Sequence, residues 1–497
     1  MTARQPRSRL IAAFAWLMRA PGGRHDGQLL FVFLIVNGLV LFNVILHDPT
    51  VQYDGGRHLK YVATLSELRL PTPQDSHEFF SPPLPYFVPA ALHRAGLSLW
   101  WAAKIGQMLN FALSLGITSM LIALCRWAKP TDGKMALIAL TCLGALPVYY
   151  KTMSFVRGEP YVAFLTLVGI AVTARAITSD RSSLSDAVLP GVCWGLLALG
   201  RQWGGLAATA MLLAICAMGL RGRDRNKITV GVAGLVVALA VGGWFYAWLW
   251  VSQGSPFAFN KHGGHWALAN QPAEFYFGTG NGLLFTDPIR PSFANQLIPI
   301  FYADTWGDYW GYFSISGRDL VSGDLVVGNR LEHEAAKLPL TVETNRFTLN
   351  NYLGRVNLVG LLPTILALAA FGAVAIKLSA ILRRGPPLIL AEVIPMLALL
   401  VVGVSVIGYL WFLIRFPVLN EGDTIKASYM LHIFPPLALL TADFVRRMRV
   451  PVVPWLIAWG MLMIHNIPAV TTHVTDLHFG NKGSIPREAT SYRSDEP

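Results

Sequence analysis

Long apolar runs separated by short charged segments dominate the sequence. The first run, residues 29–46, is long enough to cross roughly 30 Å of hydrocarbon as a helix that rises about 1.5 Å per residue. Further apolar runs follow at 98–124, 135–150, 160–179, 187–200, 204–220, 228–250, 357–380, 387–414, 427–445 and 452–469. This pattern predicts an all-α polytopic membrane protein with about 11 transmembrane helices.

Clusters of basic residues mark one side of the membrane at intervals along the chain. They lie at Arg126/Lys129/Lys134, Arg175/Arg181, Arg221/Arg223/Arg225/Lys227, Lys377/Arg383/Arg384 and Arg446/Arg447/Arg449. Because Lys and Arg are enriched in cytoplasmic loops, two crossings are expected between neighbouring clusters. Residues 187–220, which Arg201 interrupts, are therefore predicted to form a hairpin of two short helices. With every basic cluster on the cytoplasmic side, the resulting number of crossings predicts a cytoplasmic N-terminus and an exterior C-terminal tail.

The predicted topology divides the chain into five parts. These are a basic interfacial segment at 1–28, a transmembrane module at 29–250 with an outer loop at 47–97, an extracytoplasmic region at 251–356, C-terminal transmembrane helices at 357–469 and an extracytoplasmic tail at 470–497. The first apolar run lacks a following small-residue cleavage site, so we interpret it as an uncleaved anchor. The 251–356 region is too long for a simple connector and should fold against the membrane surface.

Composition and charge agree with a membrane protein. Hydrophobic residues make up 54% of the chain and charged residues 14%, whereas soluble domains carry about 25% charged residues. The net charge of +12 is explained by basic cytoplasmic loops, so nucleic acid is not expected as a partner. The cysteines, Cys125, Cys142, Cys193 and Cys216, lie in or beside apolar runs and are interpreted as small core residues.

Ionisable residues gather where the chain leaves the first predicted span. Asp54, Arg57, His58, His77 and Glu78 lie in this stretch, before the double proline that begins a new element. If residues 53–68 are helical, the first three share one face. Charges at a membrane boundary are costly and usually functional, although a solvated loop accounts for the same residues.

Other ionisable residues are predicted to face the same outer side. Glu159 begins the fourth span, where the helix dipole favours an acid; the functional alternative is a second acid facing Asp54 across a cavity. Arg201 and Lys426 oppose the positive-inside bias, so with Arg57 and Arg157 they are candidate phosphate ligands. Snorkelling to the interface is the alternative for Arg201.

An aromatic and acidic stretch, FYADTWGDYWGYF, occupies the middle of the 251–356 region. Asp304, Trp306, Asp308 and Tyr309 in this stretch suit a sugar or acceptor site, but an interfacial aromatic belt has the same composition. A divalent metal remains an open alternative. Its candidate ligands are His262, His265, Glu332, His333 and Glu334, whose spacing matches no strong metal-binding pattern.

The order and sidedness of these motifs resemble the C-type membrane glycosyltransferases, the class that contains protein O-mannosyltransferases and the lipid A aminoarabinose transferase. In that class an acidic motif with a nearby histidine follows the first span, as Asp54 and His58 do here. A Pro-Pro-aromatic element precedes the second span, as PPLPYF does at 82–87. Gly55 stands where many members have a second acid, which puts a double-carboxylate or metal-binding motif in doubt.

Later positions of the chain resemble the same class. Glu159 resembles an acid at the start of the fourth span, and Arg201 resembles a basic residue between the fifth and sixth spans. Lys426 and Tyr429 resemble the basic and aromatic start of a late span. The likeness is good over residues 29–220 and concerns only the layout elsewhere.

The resemblance implies a fold, a reaction and a set of site residues. It implies transfer of a sugar, with inversion, from a polyprenyl-phosphate donor to a hydroxyl of a lipid, glycan or protein on the extracytoplasmic face of a bacterial inner membrane. Asp54 would be the general base and Glu159 a second acid. Around the donor phosphate would lie Arg57, His58, Arg201, Lys426 and Tyr429, and Glu78, Asp304, Trp306, Asp308 and Tyr309 would contact the acceptor or sugar. A polytopic transporter and a non-catalytic glycan-binding membrane protein are the alternative functions.

Overall fold

The structure is a computed structural model whose described residues cover most of the predicted spans. They are 16–18, 25–49, 52–130, 132–179, 183–261, 263–290, 292–310, 316–318, 325–327, 340–384, 388–419, 422 and 424–471. Most of the predicted interfacial segment, the tail beyond 471, and four of the candidate metal ligands (His262, Glu332, His333 and Glu334) lie outside these residues.

The regular secondary structure of the described residues is helical except for one short pair of strands. In chain order the helices are α1 Asp26–Leu46, α2 Gly55–Ser66, α3 Phe87–Arg94, α4 Leu99–Ala128, α5 Gly133–Gly144, α6 Pro147–Met153, α7 Glu159–Thr178, α8 Leu184–Gly200, α9 Gln202–Gly222, α10 Arg225–Gln253, α11 Ala273–Phe277, α12 Leu297–Trp306, α13 Leu340–Arg384, α14 Leu390–Arg415, α15 Phe434–Arg447, α16 Val452–His465 and α17 Ile467–Val470. Strands β1 Ser316–Arg318 and β2 Leu325–Val327 pair antiparallel, with Gly317 opposite Val326. Short 3₁₀ segments lie at Leu84–Tyr86, Leu268–Asn270, Gly280–Phe285 and Ala427–Ile433.

Every predicted apolar run is helical, although the runs at 135–150, 427–445 and 452–469 are each divided into two helical pieces, and the all-α polytopic architecture is confirmed. Within the described residues, 8 helical segments are long and apolar enough to cross a membrane, one of them being the 3₁₀ segment at 427–433 together with α15. The number is 9 if α5 and α6, which are bent by 70°, form one broken span. Two further apolar helices, α8 and α16, are shorter. The predicted hairpin at 187–220 is present, because α8 ends at Gly200 and α9 begins at Gln202, with Arg201 extended between them.

Small residues allow the helices around this hairpin to approach closely. An added Cβ on Gly195 of α8 would lie 2.7 Å from the side chain of Val241 in α10. An added Cβ on Gly242 of α10 would lie 2.6 Å from the carbonyl oxygen of Gly195. Such contacts between small residues are the usual means of close helix packing in a membrane. They fix the position of the α8–α9 turn that carries Arg201.

The loop after α1 departs from the predicted helix at its start. Asp54 has a φ of +57°, so it lies in the left-handed region, and α2 begins one residue later at Gly55. The prediction that Asp54, Arg57 and His58 occupy one helical face is therefore wrong, because Asp54 precedes the helix. Its carboxylate is presented by a sharp turn between α1 and α2.

Reporter fusions can establish the orientation of the helices. Fusions after Arg225 and Arg384 should report a cytoplasmic location, because basic loops are retained on that side. Fusions within 300–312 or after His478 should report an exterior location. A cytoplasmic signal from the tail would mean that residues 187–220 cross only once, and it would invert several later helices.

Candidate active site

Most of the predicted site residues meet at one end of the helix bundle, which we call the site face. The face combines the α1–α2 turn, the start of α7, the α8–α9 turn and the start of the 3₁₀ segment before α15. Its charged and polar members are Asp54, Arg57, His58, Glu78, Arg157, Glu159, Arg201 and Lys426. Ion pairs join Asp54 to Arg57 and Lys426, and a second set joins Glu78, Arg157, Glu159 and Arg201. Residues separated by several hundred positions in the sequence therefore form one cluster.

Asp54 is the acid of this cluster that remains partly accessible. Its carboxylate lies 3.0 Å from Nη1 of Arg57 and 3.7 Å from Nζ of Lys426, and its side chain is 24% exposed. Burial would raise the pKa of the Asp54 carboxyl, but the nearby charges of Lys426, Arg157 and Arg57 together hold the pKa below its usual value. Asp54 is therefore an ionised carboxylate at neutral pH.

Lys426 lies over aromatic rings as well as beside Asp54. Its ammonium nitrogen is 4.9 Å from the ring centroid of Tyr53 and 5.7 Å from those of Trp310 and Tyr429. An ammonium over aromatic faces is stabilised by the ring quadrupoles. The side chain of Lys426 is 10% exposed, so its charge is held close to the opening at Asp54. Tyr53 and Trp310 were not among the predicted site residues.

Glu159 is enclosed by two guanidinium groups. Its Oε2 lies 3.5 Å from Nε of Arg157, and its Oε1 lies 2.9 Å from Nη2 of Arg201. All three side chains are almost completely buried. Arg157 also donates a hydrogen bond of 3.4 Å to the backbone oxygen of Tyr53 and lies over the ring of Tyr429. Arg157 thus contacts both Glu159 and the backbone of the residue before Asp54.

Glu78 connects Arg201 to His58. The carboxylate of Glu78 lies 3.8 Å from Nη1 of Arg201 and 3.9 Å from Nε2 of His58, and it accepts a hydrogen bond from Ser81. Nδ1 of His58 is 2.7 Å from the hydroxyl of Tyr86. His58 is therefore held by Tyr86 and Glu78. The predicted helical spacing had implied that His58 pairs with Asp54, and it does not.

Burial determines the protonation of this inner pair. Burial, and then the positive charges of Arg157 and Arg201, lower the pKa of His58 well below its usual value, so His58 is neutral. Burial and the charge of Asp54 raise the pKa of Glu78, although Arg201 and Arg157 oppose the shift. Burial thus shifts both pKa values towards the neutral form of each side chain.

The turn that presents Arg157 and Glu159 is held by amide side chains of α4. Asn110 donates to the carbonyl oxygens of Met153 and Phe155, at 2.9 and 2.6 Å, and Gln107 donates to that of Ser154 at 2.7 Å. Helix α6 ends at Met153, so these carbonyls need partners other than the helix itself. Sequence reasoning missed both amides; polar residues at three-residue spacing within an apolar span were the available signal.

Asp304 and Asp308 lie beneath the site face and pair with a buried lysine. Nζ of Lys151 is 3.5 Å from the carboxylate of Asp304 and 3.9 Å from that of Asp308. Asp304 also accepts hydrogen bonds from the hydroxyl of Tyr53 and the backbone N–H of Ala427. These acids have internal partners, so the structure offers no support for their predicted contact with a sugar or acceptor.

Trp306 and Tyr309 are also internal. Trp306 is 2% exposed and donates from Nε1 to Thr364, and Tyr309 is fully buried and donates to the backbone oxygen of Ser292. A sugar-binding platform and an interfacial belt both require accessible rings. The positions of these two rings favour neither interpretation.

A small pocket with four aromatic residues in its wall lies beside Arg201. It is lined by Phe80, Ser81, Pro82, Arg201, Gln202, Trp203, Phe259 and Phe412. Within the described part of the chain, no three His, Cys, Asp or Glu side chains come together as metal ligands.

Comparison with known proteins finds distant similarity in solved structures. No protein-family model and no curated protein matches the chain. The chain is similar to ArnT from Cupriavidus metallidurans bound to undecaprenyl phosphate, with 17% sequence identity and a TM-score of 0.37, covering 84% of this chain and 78% of that chain. It is also similar to the apo state of that protein, with 16% identity and a TM-score of 0.36, covering 84% and 77%.

Both similarities are distant in sequence and in structure. The function proposed below therefore rests on the side chains of the site face.

Proposed function

We propose that this chain is a membrane glycosyltransferase that moves a sugar from a polyprenyl-phosphate donor to an acceptor hydroxyl. One observation carries the proposal: the partly exposed, ionised carboxylate of Asp54 lies 3.7 Å from the ammonium of Lys426 at the rim of a buried charge cluster. A base and a cation at this separation match a reaction in which a proton is removed while a phosphate leaves. The surrounding apolar helices would accommodate the lipid part of the donor.

The chemistry needs only one acid–base residue. As the acceptor oxygen bonds to the anomeric carbon, Asp54 takes the hydroxyl proton. The bond from that carbon to the phosphate oxygen breaks, and its electron pair leaves on the phosphate. A glycosidase needs a second carboxyl group to protonate its leaving group, but a phosphate departs as a stabilised anion. Attack opposite the leaving group inverts the anomeric centre.

The cations of the site face divide into two groups with different expected roles. Lys426 and Arg57 lie beside the accessible carboxylate, so we assign them to the donor phosphate. Arg201 is engaged by Glu159, Glu78 and Ser81. It therefore acts first as the counter-ion of Glu159, and its contact with a phosphate would come through the pocket that it lines.

Transfer by the purified protein tests the proposal directly. The wild type should move sugar from a polyprenyl-phosphate-linked donor to an acceptor and release the polyprenyl phosphate in equal amount. Radiolabelled sugar followed in both the lipid and the acceptor fraction measures this stoichiometry. If no member of a panel of such donors supports transfer, the protein is not this enzyme.

Loss of either cation should weaken donor binding. Lys426→Ala and Arg201→Ala should each lower the affinity for undecaprenyl phosphate by ~1–3 kcal/mol, the scale of hydrogen bonds to charged groups. Calorimetric titration in detergent measures the affinity, and Lys60→Ala, which removes an exposed lysine of α2, is the matched control.

The two variants should differ in stability. Arg201→Ala leaves Glu159 buried without one of its counter-ions, a change that typically costs about 3–5 kcal/mol of unfolding free energy. Lys426→Ala should change the melting temperature much less. Unaltered affinity in both variants would assign the two residues structural roles only.

A further inference from the structure

Asp304 connects the two chain segments that carry the base and the donor-binding lysine. Its Oδ1 accepts a hydrogen bond of 3.0 Å from the hydroxyl of Tyr53, which precedes Asp54 in the chain. Its Oδ2 accepts a hydrogen bond of 2.6 Å from the backbone N–H of Ala427, which follows Lys426. One carboxylate thus binds the immediate neighbours of both residues in the Asp54–Lys426 pair.

We propose that Asp304 is a positioning residue that sets the distance between Asp54 and Lys426. This inference rests on the proposed function, and it assigns Asp304 a task other than contact with sugar or acceptor. The hydroxyl bond holds the ring of Tyr53 in place, and the ammonium of Lys426 lies 4.9 Å from the centroid of that ring. The N–H bond fixes the start of the 3₁₀ segment from which Lys426 extends.

Asp304 is itself firmly held. It is 1% exposed, and Nζ of Lys151 lies 3.5 Å from its carboxylate while donating to the backbone oxygens of Asp304 and Gly307. A buried carboxylate with a lysine counter-ion and two hydrogen-bond donors is a rigid support. Its burial prevents direct contact with substrate, so its influence on the reaction is exerted through Tyr53 and Ala427.

Two substitutions separate this role from general support of the fold. Asp304→Asn removes the charge that faces Lys151 and replaces one acceptor oxygen with a donor, so the bond to the Tyr53 hydroxyl must reverse its direction or be lost. Tyr53→Phe removes only the hydroxyl bond and leaves the Asp304–Lys151 pair intact, so it carries the test if Asp304→Asn fails to fold. Asp287→Asn is the control, because Asp287 lies in the same region and accepts from the hydroxyl of Ser292, outside the site face.

The readouts are kcat/KM against pH and affinity for undecaprenyl phosphate. The charges facing Asp54 are Lys426, Arg57 and Arg157, with the acid Glu78 nearby. If Lys426 moves away, the pKa of Asp54 rises, so the acid limb of kcat/KM should shift to higher pH. Asp304→Asn should also lose up to about 10²-fold in kcat/KM at the plateau, since small misplacements have effects of that size. Its affinity for undecaprenyl phosphate should fall about tenfold.

The outcomes distinguish the positioning role from the proposed function. Tyr53→Phe should show the same upward shift with a smaller loss, and Asp287→Asn should show neither. An unshifted acid limb and wild-type affinity in both site variants would overturn the assignment of Asp304. If the wild type binds undecaprenyl phosphate but transfers no sugar, the proposed function fails, and the affinities still decide whether Asp304 positions Lys426.

Discussion

Asp54→Asn should reduce turnover by about 10²–10⁴-fold, the usual loss when a general base is removed. The substitution keeps the shape of the side chain but removes its basicity. Because Lys426 and Arg57 remain in place, the affinity for undecaprenyl phosphate should be preserved. Initial rates of sugar transfer, measured beside donor affinity and expression of the folded protein, check this expectation.

The pH dependence of the wild-type reaction follows from the same carboxylate. Asp54 must be ionised to accept a proton, and its neighbouring cations hold its pKa below the ordinary value. The wild-type rate should therefore fall only when the pH drops below the ordinary pKa range of aspartate, about 3.9. Loss of the positive charge in Lys426→Met should raise the pKa of Asp54 and move this acid limb upward.

Glu159→Gln is the informative comparison for Asp54→Asn. Glu159 is paired with Arg157 and Arg201, so its substitution should lower unfolding free energy and reduce turnover less than Asp54→Asn does. If Asp54→Asn turns over at close to the wild-type rate, the base lies elsewhere, and Glu159 becomes the first candidate.

Gly158→Ala should disrupt the site without changing any charged residue. An added Cβ at Gly158 would lie 2.0 Å from the backbone oxygen of Gly200 and 3.0 Å from Cγ of Arg201. The backbone between α8 and α9 must therefore move away from the start of α7, which separates Arg201 from Glu159. We expect a loss of about 1–3 kcal/mol of unfolding free energy, typical of overpacking. Misplacement of the ion pair should also lower turnover by about 10²-fold.

Gly205→Ala provides the control for this substitution. An added Cβ at Gly205 in α9 would meet only the hydroxyl of Tyr246 at 3.8 Å and the Cβ of Ala198 at 3.9 Å, which are ordinary contacts. Alanine is also the better helix former, so stability should be unchanged or slightly raised. Thermal unfolding in detergent and transfer rates compare the two variants. Equal stability and activity in both would show that the α7 and α8–α9 backbones are not packed as closely as described.

The helical architecture could be predicted from the sequence because it depends on local composition. Each apolar run is helical. The chain breaks at Arg201, between two basic clusters that required two membrane crossings. The convergence of Asp54, Arg201 and Lys426 could also be anticipated, since sidedness places residues on one face even when they are distant in the chain. Both inferences use properties that each segment has independently of its neighbours.

The partners of individual side chains could not be predicted, because they depend on contacts between distant segments. The link from Asp304 to Tyr53 spans 251 residues, and the link from Asn110 to Met153 spans 43. Nothing in the local pattern distinguishes an aspartate that supports the backbone from one that meets a sugar. The left-handed conformation of Asp54 was likewise hidden, since the residue is followed by a sequence able to form a helix.

The short helices α5 and α16 imply a thin sector of the protein. Helix α5 has 12 residues and α16 has 14, so at about 1.5 Å per residue they reach roughly 18 and 21 Å, less than the roughly 30 Å of a typical hydrocarbon core. They lie side by side, because Nε1 of Trp455 in α16 donates to the hydroxyl of Thr141 in α5. Helix α5 is mostly buried within the protein and α16 is mostly exposed, so hydrophobic mismatch along α16 should draw the two leaflets closer together there. Activity should therefore be higher in bilayers of shorter-chain lipids than in thick, sterol-rich ones.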